Sequence, residues 1–122
     1  MMLKSIDRPF TVCKVEDYSL TDLAAEYVFI GKTDEELSLV CETSLTPPNA
    51  TAREDGWRAF RIEGTLDFSL VGVLSKISAI LAETGIGIFA VSTFNTDYIL
   101  TRAGRFDQAL QVLEAHGYTI LR

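Results

Sequence analysis

The chain has 122 residues, with 11 Lys and Arg against 17 Asp and Glu, and a formal charge of −6. This length suits one compact domain or two very small units that share a core, and 48% hydrophobic residues are enough to form that core. The acidic balance disfavours nucleic acid and anionic membranes as partners, because both attract basic surfaces.

The first residues contain no apolar run long enough for a signal peptide, and the apolar stretch 70–91 is interrupted by Lys76 and Glu83. Cys13 and Cys41 form no CxxC pair and have apolar neighbours that favour a strand. Both are therefore predicted to be buried, reduced thiols. These observations together predict a cytoplasmic protein.

The N-terminal half is predicted to be rich in strands, which its apolar and β-branched residues place at 9–16, 26–31 and 37–43. Residues 19–25 offer one helical turn at most, and 32–36 is a charged turn. The stretch 44–55 resembles a linker because Pro47 and Pro48 cannot lie inside a strand ladder. We therefore expect a helix-poor subdomain at 1–50, a degenerate copy of a second domain at 56–122.

The C-terminal half has clearer periodicity. Apolar residues at helical spacing predict one helix over 70–81, ended by Gly85 as a left-handed cap, and a second helix from Phe106 to His116. Strands are predicted at 57–63, 86–94, 97–102 and 118–121, with a turn at Asn95-Thr96. The order β-α-β-β-α-β predicts an α+β, ferredoxin-like domain with both helices on one face of an antiparallel sheet.

Sequence patterns typical of catalysis are missing. The one histidine, His116, precedes Gly117 at a predicted helix end, where it complements the helix dipole. Neither cysteine has the spacing of a zinc ligand. Gly85 and Gly87 lead into a strand, which is the wrong context for a dinucleotide loop. We expect no enzyme, no metal site and no cofactor.

The segment before the first predicted helix is a candidate anion site. Helix N-termini leave amide donors unpaired and favour a carboxylate, and Gly72 would let a ligand approach the backbone. The alternative is purely structural: Asp67 or Ser69 caps the helix, and Gly72 allows close packing on a neighbouring strand.

A second candidate is Asp97, at the start of the strand 97–102. Its carboxylate could bind a ligand ammonium or guanidinium, or it could hydrogen-bond local backbone in the turn beside Asn95. The loop before the helix and this turn need not lie at the same end of one chain. A joint site would then require a second subunit.

The run 57–100 closely resembles the ACT domain, a small-molecule regulatory module with the same element order. The segments FSLVGVLSKI (68–77) and VSTFNTDYIL (91–100) carry the match. Within that superfamily the chain is similar to small bacterial tandem-ACT proteins, which resemble the regulatory part of aspartate kinase and the cytosolic arginine sensors of animals. FTVCKVE (10–16) and ELSLVCET (36–43) fit the shortened, strand-rich first ACT unit of that group.

This resemblance implies a stand-alone, dimeric regulatory module that binds a free amino acid or similar small effector between two ACT units, without catalysis. The ligand-binding positions that it implies lie in the loop and helix start and in the turn and following strand: Phe68, Ser69, Leu70, Val71, Gly72 and Val73, with Thr93, Phe94, Thr96 and Asp97. The alternative is a ligand-free interaction adaptor that pairs with a larger enzyme through its sheet.

Overall fold

The computed structural model describes residues 1–64 and 72–122. They form a strand-rich, mixed α/β fold that divides into two compact units. The helical unit comprises Met1–Asp7 and Arg58–Arg122, and the strand unit comprises Arg8–Trp57. The elements are β1 (Met2–Val15), β2 (Val28–Lys32), β3 (Leu37–Glu42), a 3-10 turn (Thr43–Leu45), β4 (Ala50–Ile62), α1 (Val73–Glu83), β5 (Phe89–Ser92), β6 (Asp97–Arg102), α2 (Ala103–Ala115) and β7 (Thr119–Leu121).

From β4 onward the elements follow the predicted order β-α-β-β-α-β. The sheet of the helical unit nevertheless differs from a simple ferredoxin-like sheet, because its strand order is β7-β1-β4-β6-β5. The last strand pairs in parallel with the start of the first, with Leu3 opposite Ile120. The sequence did not predict this pairing, since residues 2–7 show no clear apolar alternation.

The core of the helical unit lies between the two helices and the sheet. Each helix turns one apolar stripe inward, as the helical spacing predicted. Complete burial of side chains of this size contributes about 1.5–3 kcal/mol each. The buried side chains are Leu3, Phe60, Ile62, Ile77, Leu81, Ile86, Ile99, Phe106, Ala109, Leu110 and Leu113.

Glycines in the left-handed conformation stand at both ends of α1. Gly72 is the N-cap residue with φ +82° and has no side chain that could cap the helix. Asp67 and Ser69, the caps that the sequence suggested, lie outside the described residues, and the helix begins at Val73 instead of residue 70. No described atom lies within 4 Å of a Cβ built on Gly72, so its backbone conformation, not close packing, requires glycine there. Gly85, with φ +75°, follows the C-terminus as predicted.

Within Arg8–Trp57 the strand order is β2-β3-β1-β4, and the one helical element is the 3-10 turn. Residues 19–25 form turns, with no helix. A small core forms around Cys13, Val15, Leu39 and Cys41, where Cys13 lies directly opposite Leu39 in the ladder. Both thiols are buried and free, as predicted.

The linker predicted over 44–55 is wrong for its second half, because Ala50–Ile62 is one continuous strand. Residues 51–56 are exposed along the whole segment, so they have no apolar alternation to reveal a strand. Gly56 adopts φ +86° inside the strand, which is typical of a local irregularity such as a bulge. The real connection runs only from residue 43 to residue 49.

The two hairpins are structural copies of each other, offset by 60 residues. Phe29 pairs with Val40 in β2–β3, and Phe89 pairs with Leu100 in β5–β6. The turns match as well, since the Thr33 amide donates to the Glu36 carbonyl at 3.0 Å and the Thr93 amide donates to the Thr96 carbonyl at 2.8 Å. Identical register and turn bonding relate the two halves more firmly than their sequences do.

Candidate functional site

A small polar cleft, the hairpin pocket, lies in the helical unit between the end of β4 and the turn that joins β5 to β6. Its volume is about 310 Å³. Backbone and side chains from three elements meet there, so both polar and charged groups converge on a restricted space. The pocket is lined by Arg61, Ile62, Glu63, Gly64, Thr93, Asn95, Thr96 and Tyr98.

Two threonines fix the turn against the neighbouring strand. Thr96 is only 7% exposed, and its Oγ1 donates to the carbonyl oxygen of Ile62 at 2.7 Å. Thr93 accepts and donates within the turn, with its Oγ1 donating to the Thr96 carbonyl at 3.0 Å. These contacts hold the turn in place on β4, so the pocket has one wall set by buried hydrogen bonds.

Arg61 supplies the cation of the pocket. Its Nε donates to Glu63 Oε2 at 3.1 Å, and its Nη1 donates to the Tyr98 hydroxyl at 3.4 Å. The hydrogen bond with Tyr98 raises the pKa of Arg61, partial burial opposes that, and Glu63 raises the pKa further. A guanidinium has five N–H donors, so these two contacts leave donors for a ligand carboxylate.

Asp97 does not line the hairpin pocket. Successive strand residues point to opposite faces of a sheet, and Asp97 neighbours the pocket residue Tyr98 along β6. Its Oδ1 accepts a hydrogen bond from the Ser92 hydroxyl at 2.5 Å, across the β5–β6 pair. The carboxylate therefore joins the two strands of the hairpin. The sequence left open a local hydrogen bond to the backbone beside Asn95, and the observed contact is also local but is made to the Ser92 side chain.

The remaining predicted positions fall in other places. Phe68, Ser69, Leu70 and Val71 lie outside the described residues. Gly72 and Val73 line a separate groove beside α1. Phe94 is 78% exposed at the turn. Of the predicted set, the structure brings Thr93 and Thr96 together in the hairpin pocket.

Arg61, Glu63 and Tyr98 were missed by the sequence analysis. A usable signal was present, because the apolar residues Phe60 and Ile62 alternate with polar ones in the predicted strand 57–63 and therefore share one face. Arg61 and Glu63 must then share the opposite face. The alternation within this strand could not identify the neighbouring strand, and only the fold shows that Tyr98 lies beside Arg61 and Glu63.

The equivalent turn in the strand unit has a cleft of its own, of about 360 Å³. Its charged residues are Lys14, Asp34, Glu35 and Glu36, so acids outnumber bases by three to one. No arginine lines it. The same hairpin geometry thus supports an acidic cleft in one unit and an arginine-containing pocket in the other.

Residues 52–115 match the family model of the ACT domain. The chain belongs to the ACT-domain family. The match spans β4, both helices and the β5–β6 hairpin, and so includes the residues that form the hairpin pocket.

Solved structures place this ACT protein beside regulatory parts of aspartate kinase. A protein from Agobacterium tumefaciens has a TM-score of 0.86 and 28% identity, over 98% of this chain and 91% of that chain. The regulatory subunit of aspartate kinase from Thermus thermophilus, in its ligand-free form, has a TM-score of 0.64 and 10% identity over 93% and 95%. Aspartate kinase from Clostridium acetobutylicum has a TM-score of 0.64 and 14% identity, over 87% of this chain and 32% of that chain. No curated protein is significantly similar in sequence.

Two further features are absent from residues 1–64 and 72–122. No helix there is long and apolar enough to cross a membrane. Nor do these residues contain a group of three or more His, Cys, Asp or Glu side chains that could hold a metal ion.

Proposed function

We propose that the chain is a stand-alone cytoplasmic regulatory module that binds a free amino acid or a similar small effector through its helical unit. ACT domains and the regulatory subunits that resemble this fold support a regulatory role. We propose further that a second ACT unit in a homodimer completes the ligand-binding site. Residues 68–73, with Thr93, Phe94, Thr96 and Asp97, are proposed to contribute to this composite site.

The observation that carries the proposal is the pairing of Arg61 with Glu63 in the hairpin pocket. An amino acid presents a carboxylate and an ammonium within a few bonds of each other. Arg61 offers planar N–H donors to the carboxylate, and Glu63 offers oxygen acceptors to the ammonium. The pocket therefore matches both ends of a zwitterion.

The polar side chains around this pair would add selectivity for the ligand. Thr93, Asn95 and Tyr98 line the same cleft, and each can donate as well as accept a hydrogen bond. Such groups discriminate strongly between ligands that satisfy them and ligands that leave them unpaired. A site of this composition suits a small polar ligand better than a large apolar one.

A thermal-shift screen of the purified protein against the twenty amino acids tests the proposal. A ligand at about 100 times its dissociation constant stabilises the fold by roughly 2.7 kcal/mol, which raises Tm by several degrees in a chain of this length. One or a few responding amino acids would support the proposal. A flat screen on folded protein from which bound small molecules have been removed would contradict it.

Arg61→Gln then tests the site, because it removes the cation and keeps a polar side chain. We expect the ligand-induced shift to disappear while the ligand-free Tm stays close to that of the wild type. Arg53→Gln is the matched control, since Arg53 also pairs with an acid two residues along the same strand, Asp55, at 3.0 Å. Loss of the shift in both variants would refute a specific role for Arg61.

Asp97→Ala separates the hairpin pocket from the composite site. If the pocket of one chain is sufficient, the variant binds like the wild type, because Asp97 contacts Ser92 and does not line the pocket. If a second ACT unit presents the ligand to the other face of β6, binding is lost. Isothermal titration with the amino acid found in the screen measures the difference.

A second candidate function is a ligand-free interaction adaptor, and the surface of the strand unit favours it. Leu20 and Leu23 are 54% and 68% exposed in the β1–β2 loop, where acidic residues flank them. An apolar patch with a charged rim is typical of a protein-binding surface. Two results together would establish the adaptor instead. A partner protein co-purifies in stoichiometric amount with the wild type but not with the double variant Leu20→Ser and Leu23→Ser, and the ligand screen is flat.

A further inference from the structure

The strand β2 has an open edge, because its one strand partner in the described part of the chain is β3. The Thr33 amide donates to the Glu36 carbonyl at 3.0 Å, so these two residues form a hydrogen-bonded pair at the end of the ladder. Hydrogen-bonded and non-hydrogen-bonded pairs alternate along antiparallel strands. Phe29 and Gly31 therefore direct their backbone groups toward β3. The residues that direct theirs to the open edge are Val28, Ile30 and Lys32.

An apolar row crosses the strand unit and ends at this edge. Residues directly opposite each other in a ladder share one face of the sheet, and Leu39 pairs with Cys13 on one side and with Ile30 on the other. Cys13 and Leu39 are 4% and 0% exposed, but Ile30 is 46% exposed. The centre of β2 has neither a proline nor a charged side chain, the usual devices that protect an edge. One further strand would extend this row and cover Ile30.

The same edge lies within the most acidic part of the chain. Residues 16–36, the acidic segment, contain seven Asp and Glu and one Lys, a formal charge of −6. All seven acids are exposed. The rest of the chain has ten charged residues of each sign, so the acidic segment carries the whole net charge. Among the described residues, Glu26 is the one acid of this segment with an ion-pair partner, Arg8.

We propose that the open edge of β2 binds an extended, basic segment of a partner protein, which adds to the sheet as one further strand. The outward backbone groups of β2 supply the hydrogen bonds, as in other complexes formed by strand addition. An apolar residue of the partner opposite Ile30 extends the apolar row, and its Lys or Arg side chains face the acidic segment. Two copies of this edge would bring two acidic segments together, and like charges across an interface oppose that pairing.

This inference goes beyond the amino-acid site and does not depend on it, because no residue of the acidic segment lines the hairpin pocket. It gives the adaptor function a partner of stated chemistry, since the exposed Leu20 and Leu23 belong to the same segment as Ile30. It holds whether the ligand screen is flat or not.

Fluorescence anisotropy with two labelled heptapeptides tests the proposal. One peptide alternates Lys with Val, and the other alternates Glu with Val, so both have the same apolar face and opposite charge. We expect the wild type to bind the basic peptide saturably and the acidic peptide at least about tenfold more weakly. A wild type that binds neither peptide, or both equally, overturns the proposal.

Ile30→Pro tests the edge, because it removes one outward donor and leaves the hydrogen bonds between β2 and β3 in place. Proline is tolerated on an edge strand in this orientation. We expect the basic peptide to bind about tenfold more weakly or worse. Ala90→Pro is the matched control, since Ala90 is exposed at the equivalent position of β5, 60 residues further on. It is expected to bind like the wild type, and equal affinities of the two variants overturn the proposal.

A change of charge outside the ladder provides a second test that leaves the strand itself unaltered. Asp34→Lys with Glu35→Lys reverses two exposed acids of the turn after β2, and we expect it to weaken binding of the basic peptide. Asp107→Lys with Glu114→Lys makes the same change in net charge at exposed positions of α2. An equal loss in both double variants would show that net charge alone attracts the peptide, which overturns a specific role for the acidic segment.

Amide hydrogen exchange of isotope-labelled protein, followed by NMR, distinguishes strand addition from charge attraction. Bound peptide is expected to slow exchange at Ile30, whose amide gains an acceptor, and to leave Gly31 unchanged because its amide already faces β3. Binding without slower exchange at Ile30 overturns strand addition. So does a wild-type dimer that Ile30→Pro dissociates, because the edge is then occupied by a second copy. The thermal-shift screen measures amino-acid binding separately, so failure of one proposal is distinguishable from failure of the other.

Discussion

The two hairpins share their register and turn hydrogen bonds, yet they present different chemistry. At the position after the turn the strand unit has Leu37 and the helical unit has Asp97, and at the next position they have Ser38 and Tyr98. In the strand unit the Tyr18 hydroxyl donates to the Ser38 carbonyl at 2.9 Å, so an aromatic side chain from the β1–β2 loop covers this strand. In the helical unit, Tyr98 itself contacts Arg61. The same scaffold thus has an acidic cleft beside a tyrosine-covered strand in one unit and an arginine-containing pocket in the other.

The units differ as much in charge as in their hairpins. The strand unit has four Lys and Arg against ten Asp and Glu, a formal charge of −6, whereas the helical unit has seven against seven. The whole net charge of the chain therefore belongs to fifty residues. Under the two functions proposed above, the neutral unit would bind a small molecule, and the acidic unit with its exposed leucines would bind a protein surface.

Removing a core ring from the helical unit has the largest expected effect. Phe60 is fully buried and packs against Phe106, with ring centroids 6.3 Å apart. We expect Phe60→Ala to lower the free energy of unfolding by about 3–5 kcal/mol. Phe94→Ala is the control, because that ring is 78% exposed and its loss changes stability by less than about 0.5 kcal/mol. Urea denaturation measures both, and equal midpoints would be inconsistent with the core described above.

The next effect distinguishes the two turns. Thr96→Val keeps the shape of the side chain but leaves the buried carbonyl of Ile62 without its 2.7 Å hydrogen bond. We expect a loss of about 1–3 kcal/mol. Glu36 occupies the equivalent position in the other turn and is exposed, so Glu36→Gln is expected to change stability by less than about 0.5 kcal/mol. Similar losses in both variants would show that the turns are equivalent in energy as well as in geometry.

A smaller effect depends on pH and belongs to the strand unit. The hydrogen bond from Thr11, with a contribution from Arg53, lowers the pKa of Asp55. A carboxyl with a lowered folded-state pKa stabilises the fold at neutral pH, and this contribution is lost as the pH falls through that pKa. Asp55→Asn is therefore expected to have a lower Tm than the wild type at pH 7. The two Tm curves begin to approach each other near the usual carboxyl value of about 3.9 and converge only below the lowered pKa of Asp55.

Tm measured from neutral to acidic pH decides this point. Asp34→Asn, at an exposed acid of the Thr33–Glu36 turn, is the control and is expected to run parallel to the wild type. A constant offset between Asp55→Asn and the wild type at every pH would indicate a packing defect instead of a lost charge interaction.

The smallest expected change concerns the thiols of the strand unit. Burial raises the pKa of Cys13 to about 11 and also raises the pKa of Cys41. At pH 7 only about one Cys13 side chain in ten thousand is then a reactive thiolate. We expect the native protein to react slowly with a thiol-specific chromogenic disulfide. The denatured protein is expected to react at once and to release two equivalents of the coloured thiolate per chain, one for each cysteine. Rapid, stoichiometric reaction of the native protein would contradict the buried core around Leu39.

The sequence predicted most of the helical unit, because its helices and inner strands have strong apolar periodicity. It failed where periodicity is absent. Residues 51–56 are exposed along a whole strand, and residues 2–7 mix charged and apolar side chains, so neither segment could be recognised as a strand from its own pattern.

For the candidate site the outcome was similar. Thr93 and Thr96 belong to a recognisable turn, and both reach the hairpin pocket. Arg61 and Tyr98 are 37 residues apart, and their contact depends on strand neighbours that no local pattern encodes. Asp97 carried the most conspicuous charge in its segment, but strand alternation places it beside the pocket residue Tyr98 and outside the pocket itself.

The parallel pairing of Met2–Lys4 with Thr119–Leu121 has a consequence for the order in which the two units can form. The sheet of the helical unit is complete only when residues at both of these distant positions have been synthesised. The strand unit, by contrast, draws on residues 8–57 alone. Pairing across such a separation slows folding in general, because loop closure precedes the contacts that compensate for it. An effector that binds only the complete helical unit would therefore respond only to chains synthesised beyond residue 121.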